Sequence, residues 1–134
     1  MLRLSKKIEY GLIAIRHIAH HSAMGVSTTK EIAERYDISY ELLAKILPKL
    51  AKSGLLLSHS GVKGGYTLAR KAEDISVSSI INAIEGKPTV ADCFHADDPE
   101  SCSIYNTCTI KSPLGKIQSN IDRVFSKMTL SEIV

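Results

Sequence analysis

From Ser5 to about His21, the apolar residues Ile8, Leu12, Ile15 and Ala19 recur at three- and four-residue steps, which predicts a helix with one buried face. Thr28 followed by Glu31 is a capping box, and it opens a second helix through Ile32 and Ala33 to Tyr36. Asp37-Ile38-Ser39 reads as a tight turn, after which Ser39 caps a third helix bearing Leu42, Leu43, Ile46 and Leu47. Pro48 interrupts that pattern, and an interior proline costs roughly 3 kcal/mol, so a kink is expected there. The helix should finish at Ser53, with Gly54 as its left-handed stop.

Two apolar runs follow, Leu55-Leu56-Leu57 and Tyr66-Thr67-Leu68, separated by Ser58-His59 and the glycine-rich stretch Ser60-Gly61-Val62-Lys63-Gly64-Gly65. This is a β-hairpin with a long tip. Two short helices joined by a tight turn form a helix-turn-helix, with Ala33 small at the close approach and Ile38 plugging the turn. A hairpin directly after such a pair makes a winged helix. Ser76 caps a further helix carrying Ile80, Ile81 and Ile84, which Gly86 and Pro88 end. Residues 89–111 show no periodicity, and a loop of that length in a small domain is usually functional or disordered. Ser112-Pro113 then opens a long helix with Pro at its first position, striped by Leu114, Ile117, Ile121, Val124 and Met128, with Phe125 beside Val124. A stripe this long at the end of a small domain is expected to bury against a second copy of the chain. Thr129 and Glu132 form a last capping box for a short terminal helix. The expected architecture is mainly α with a small β-hairpin: a winged helix-turn-helix over 1–86, a cysteine-bearing loop over 87–111, and a dimerisation helix with its tail over 112–134.

Charge sharpens this picture. The net charge is +3, but residues 1–70 carry 11 Lys and Arg against 5 Asp and Glu, while residues 71–110 carry 2 against 7. A basic front half suits the phosphates of double-stranded DNA. With no apolar run near the length of a membrane span and no signal segment, the expectation is a cytoplasmic protein in a reducing compartment, without membrane partners.

Cys93, Cys102 and Cys108 are the chain's three cysteines, and they share one Asp-rich stretch of the loop. An odd number argues against a disulfide framework. Three thiols in a polar segment point to metal or redox chemistry more than to packing. The spacing C-x8-C-x5-C lacks the close pairs of structural zinc and suits a wider iron–sulfur cluster. One ligand is then missing, with His95, Glu9, His17, His20, His21, Asp92, Asp97 and Asp98 as candidates. A bare-thiol or zinc-dependent switch on the same fold stays open. A small electron carrier would have no use for the basic helix pair and wing. A thiol-redox enzyme would need a resolving cysteine close by, and there is no C-x-x-C, so an enzyme is not expected.

These pieces together resemble the Rrf-two (Rrf2) family of winged-helix transcriptional regulators. The match is carried by Leu2-Arg3-Leu4-Ser5-Lys6, by Leu50-Ala51-Lys52-Ser53-Gly54-Leu55, by the wing Gly61-Val62-Lys63-Gly64-Gly65-Tyr66, by the late cysteines and by the ending Met128-Thr129-Leu130-Ser131-Glu132-Ile133-Val134. The resemblance implies a homodimer on a palindromic operator, usually a repressor, with a 2Fe-2S or 4Fe-4S cluster held by Cys93, Cys102 and Cys108. Among the family's IscR-, NsrR- and RirA-like branches, the cysteine gaps are most similar to the RirA-like ones. The His that IscR-like members place three residues after the last cysteine is Lys111 here, so that role does not carry over. Glu9 falls where NsrR-like members use an acidic ligand, which makes it the expected fourth ligand. Ser60 stands where family wings often place an Arg.

The expected reading is a metal-responsive regulator sensing iron, nitric oxide or redox state. The third helix would enter the major groove, Ser39 capping it and Tyr40 and Glu41 near base edges. Lys45, Lys49, Lys52 and Lys63 would hold phosphates, the wing glycines, Gly64 and Gly65 among them, would let the tip lie in the minor groove, and Thr28 and Ser60 are also expected at the DNA.

Overall fold

The computed structural model describes residues 3–91, 94, 103–104 and 106–134. Helix α1 (Lys6–His21) starts where Ser5 Oγ accepts a hydrogen bond from the Ile8 N–H at 3.3 Å. Its buried face holds Ile8, Gly11, Ala14, Ile15 and Ile18, while Leu12 and Ala19 are only half-buried. The face is therefore rotated from the one the apolar spacing predicts. Gly11 accounts for this, because it lets α1 lie directly against the next-but-two helix, where any side chain would overlap Ile84 Cδ1.

Helix α2 (Thr29–Tyr36) carries the full capping box: the Glu31 N–H donates to Thr28 Oγ1 at 3.0 Å, and the Thr28 N–H donates to Glu31 Oε2 at 3.4 Å. Asp37 closes it in the left-handed region at φ 54°, a conformation Asp tolerates better than most side chains. Ile38 is buried in the turn as expected. Helix α3 (Tyr40–Lys52) follows its Ser39 cap and runs as one helix through Pro48. The carbonyl that Pro48 leaves unbonded belongs to Ala44, and both residues are exposed, so water can take that hydrogen bond.

Strands β1 (Leu56–His59) and β2 (Gly65–Leu68) pair antiparallel, Leu56 opposite Leu68 and His59 opposite Gly65. The hairpin also gains an unanticipated partner. Ser27, just ahead of α2, exchanges two backbone hydrogen bonds with Tyr66 at 3.0 and 2.8 Å. A single bridging residue has no periodicity for a sequence to display. It ties the wing to the start of the helix pair.

Helix α4 (Val77–Glu85) buries Val77, Ile80, Ile81 and Ile84 against α1 and α3, and Gly86 stops it at φ 86°. These four helices and the root of the hairpin enclose the core. Helix α5 (Lys111–Lys127) packs on α4 and begins two residues earlier than expected, which makes Pro113 its third residue. Proline is tolerated there because first-turn N–H groups have no helical partner. The chain's end then returns to the core as an edge segment. The Val77 N–H donates to the Met128 carbonyl and the Leu130 N–H to the Ile75 carbonyl, both at 2.8 Å, and Leu130 is fully buried. The predicted terminal helix is a single 3-10 turn, Leu130–Glu132, with its capping box formed. Among the described residues, no helix is long and apolar enough to cross a membrane.

Candidate nucleic-acid interface and the cysteine segment

The first residues of α2 and α3 and the wing line one groove of about 330 Å³. Thr28, Tyr40, Gly64 and Gly65, all expected at the interface, meet in it. Lys30 and His59 also line it, and neither is among the residues expected at the interface. Lys30 carried a usable signal, since it sits in the first turn of a capped helix. His59 had none, because only the β1–β2 register brings it there, with its Nε2 2.9 Å from Thr67 Oγ1. Two helix N-termini and a lysine around one groove give it positive potential, the polarity a phosphate needs. Desolvation raises the Tyr66 hydroxyl above its usual 10.0, and the neighbouring Tyr40 adds to this, so the Tyr66 phenol stays neutral in the groove.

Tyr40, Glu41, Lys45 and Lys52 stand exposed on α3, and Ser60 and Lys63 on the wing tip. Lys49 differs, because its Nζ donates to the Ile84 carbonyl at 3.2 Å, at the C-terminal end of α4. The wing glycines have structural reasons of their own. A side chain on Gly65, at φ 153°, would come within 2.7 Å of the Ser27 carbonyl oxygen, and one on Gly64 within 2.7 Å of that of His59. Gly61, at φ 99°, has open space around it and is free to lie along a backbone.

Of the cysteines, Cys108 is described: it is half-buried, with a free thiol. Cys93 and Cys102 lie outside the described residues, as do His95, Asp92, Asp97 and Asp98. Among the described residues, no three His, Cys, Asp or Glu side chains converge. Glu9 is exposed on α1 and pairs with Lys6 at 3.0 Å, and this contact raises the Lys6 ammonium above its usual 10.5. Of the helical histidines, His20 is exposed, and His17 and His21 have other work. His17 is buried, its Nε2 3.3 Å from Glu31 Oε1 and its Nδ1 2.9 Å from the Tyr36 hydroxyl. A carboxylate can only accept, so Nε2 carries the hydrogen, and the neutral ring's Nδ1 accepts from Tyr36. His21 stacks on His17 at 4.1 Å and donates from Nδ1 to the His17 carbonyl at 2.7 Å.

A helix-turn-helix, a wing tied to its start, a basic groove between them and a C-terminal helix packed on α4 make a DNA-binding regulator's frame. The family model for Rrf2, described as "Iron-dependent Transcriptional regulator", matches residues 4–134. The chain belongs to the Rrf2 family. Over 133 residues this Rrf2 chain is 30% identical to the HTH-type transcriptional regulator IscR of Yersinia pseudotuberculosis, covering 99% of this chain and 79% of that one. The structure of IscR from T. potens is similar at TM-score 0.76 and 32% identity, covering 98% of this chain and 85% of that chain. CymR, the global cysteine regulator of B. subtilis, is similar at TM-score 0.78 and 25% identity, covering 99% and 96%. The Rrf2 chain is thus a DNA-binding transcriptional regulator, not an enzyme, and its winged-helix fold matches the expectation.

Proposed function

We propose that this protein is a dimeric regulator, acting as a repressor, whose operator binding is governed by an iron–sulfur cluster on the cysteine segment. The observation that carries this is the placement of C-x8-C-x5-C between α4, which packs on α3, and α5, whose Ile117 and Val124 stand exposed. The donor chemistry fits such a group. Cys93, Cys102 and Cys108 supply three soft thiolates, and Glu9 supplies a solvent-accessible carboxylate whose partner, Lys6, is an exposed and easily displaced lysine. When bound, the cluster would supply an iron centre open to loss of metal, to oxygen or to nitric oxide.

The chain's own residues do the reading. Tyr40 and Glu41 at the start of α3 meet base edges, and Lys45, Lys52 and Lys63 meet phosphates. Thr28 keeps its hydroxyl hydrogen for a phosphate while its oxygen caps α2. Anaerobic purification with iron and sulfide content and a visible spectrum tests the cofactor. Matched iron and sulfide with charge-transfer absorption supports it, and a protein colourless even after anaerobic reconstitution removes it along with the role of Glu9. Cys102→Ala is expected to lose the cofactor while staying a folded dimer, and a variant retaining full cluster content would contradict the ligand assignment.

The free, half-buried thiol of Cys108, together with the likeness to a cysteine regulator, favours a second reading in which bare thiols are the switch. Loss of operator binding when metal-free protein is treated with peroxide, reversed by dithiothreitol, would select it.

A further inference from the structure

Helix α5 buries its one glutamine and exposes its apolar stripe. Gln118 is 4% exposed, whereas Ile117 and Val124 on the same helix are 48% and 58% exposed. Burial of an amide is tolerated only when its hydrogen bonds are met, and Gln118 makes three of good length. Gln118 Nε2 donates to the Pro88 carbonyl at 3.0 Å and to Asp122 Oδ1 at 2.8 Å, and Oε1 accepts from the Val90 N–H at 2.8 Å. Lys87 Nζ lies 2.7 Å from Asp122 Oδ2 beside them. The whole polar set is spent on residues 87–90, the stretch that leads into the cysteine segment.

The other end of this stretch is the C-terminus of α4, where two more helices attach. Ser5, which caps α1, donates from Oγ to Glu85. Lys49 of α3 donates to the Ile84 carbonyl at 3.2 Å, where the helix dipole favours a cation. Residues 84–90 are thus tied by polar contacts to α1, α3 and α5. On the Arg3–Glu9 side they border a cavity of about 670 Å³. A strand of chain held by hydrogen bonds beside free volume can take a second position, unlike a residue locked into a close-packed core.

We infer that residues 84–90 are the coupling element of this regulator, with Gln118 and Lys49 as positioning residues that hand a displacement of the cysteine segment to the recognition helix. Gln118 fixes Pro88 and Val90 against α5, and Lys49 holds α3 to α4 instead of meeting a phosphate. The inference rests on the reading that the cysteine segment senses.

The test measures affinity for a duplex selected from a random library by the wild-type protein. It compares protein reconstituted anaerobically with ferrous iron and sulfide against the same protein after chelator treatment. In the wild type the two affinities should differ by roughly five- to a hundredfold. In Gln118→Leu the ratio should fall toward one, with iron content and helical circular dichroism unchanged. Should that variant fail to fold, Lys87→Met, on an exposed side chain, should narrow the ratio in the same direction. Lys49→Met should shift the ratio but leave the slope of log affinity against log salt unaltered, and Lys49→Arg should restore the ratio. Lys63→Ala, by contrast, should reduce that slope by about one. A full ratio in both Gln118→Leu and Lys87→Met, with the wild type responsive, overturns the coupling and leaves sensing intact. A reduced salt slope in Lys49→Met overturns its positioning role. A wild type indifferent to its cysteine state removes the sensing reading, and the coupling with it.

Discussion

His17 shows how much one buried side chain can organise. It joins α1 to both ends of α2, through Tyr36 at the last residue and through Glu31, whose other oxygen completes the capping box on Thr28. Burial holds the ring's pKa below its usual 6.5, and the stacked His21 ring and nearby Arg35 push the same way, outweighing the pull of Glu31. The folded state therefore binds fewer protons than the unfolded chain just below pH 6.5. Stability should be full above that pH and decline as pH falls below it, until the folded ring itself protonates. Urea unfolding at a series of pH values should show this slope in the wild type and lose it in His17→Leu. That variant should also be less stable by about 1–3 kcal/mol, because Glu31 and Tyr36 lose a partner. An identical pH dependence in both proteins would rule the ring out as its source. From sequence, His17 looked only like a candidate metal ligand, because a helix pattern does not say what stands opposite a residue.

At the scale of elements, the hairpin carries the clearest consequence. Its glycine-rich tip is expected to let DNA approach, and Gly61 fits that use. Gly65 is required for a different reason, the contact between β2 and Ser27 that anchors the wing to the start of α2. Gly65→Ala should therefore strain a backbone position and open that bridge, lowering stability by more than about 1 kcal/mol. It should also weaken DNA binding, measured by fluorescence anisotropy, because the groove loses its fixed width. Gly61→Ala, which meets no atoms within 4 Å, should cost less stability despite its own positive φ. Equal losses at both positions in thermal unfolding would show that backbone conformation matters and the Ser27 contact does not.

At the scale of the molecule, α5 is the element a single chain leaves unfinished. Ile117 and Val124 stand on its open side, next to an apolar cavity that Leu4, Val90, Ile121 and Phe125 also line. Association through this side would remove that surface from water at about 25 cal/mol per Å². The double substitution Ile117→Asp with Val124→Asp should convert the proposed dimer to a monomer in analytical ultracentrifugation, with the winged helix still folded. Operator affinity should fall at least tenfold, since one half-site then binds without the other. A double variant that sediments as a dimer would place the interface elsewhere.

The helix order, the capping boxes at Thr28 and Thr129, the Ser39 and Ser76 caps, the plug at Ile38 and the hairpin after Gly54 could all be read from the chain, because each depends on neighbours within a few residues. The clustering of the cysteines was equally plain from the sequence. Tertiary structure alone decided which face of α1 is buried, since that turned on Gly11 meeting Ile84. It alone paired Ser27 with Tyr66, returned Leu130 to the core, turned Lys49 toward α4 and buried Gln118 against residues 88 and 90. Those contacts join residues far apart in the chain. No local propensity encodes them, and they form only when packed helices bring their partners within hydrogen-bonding distance.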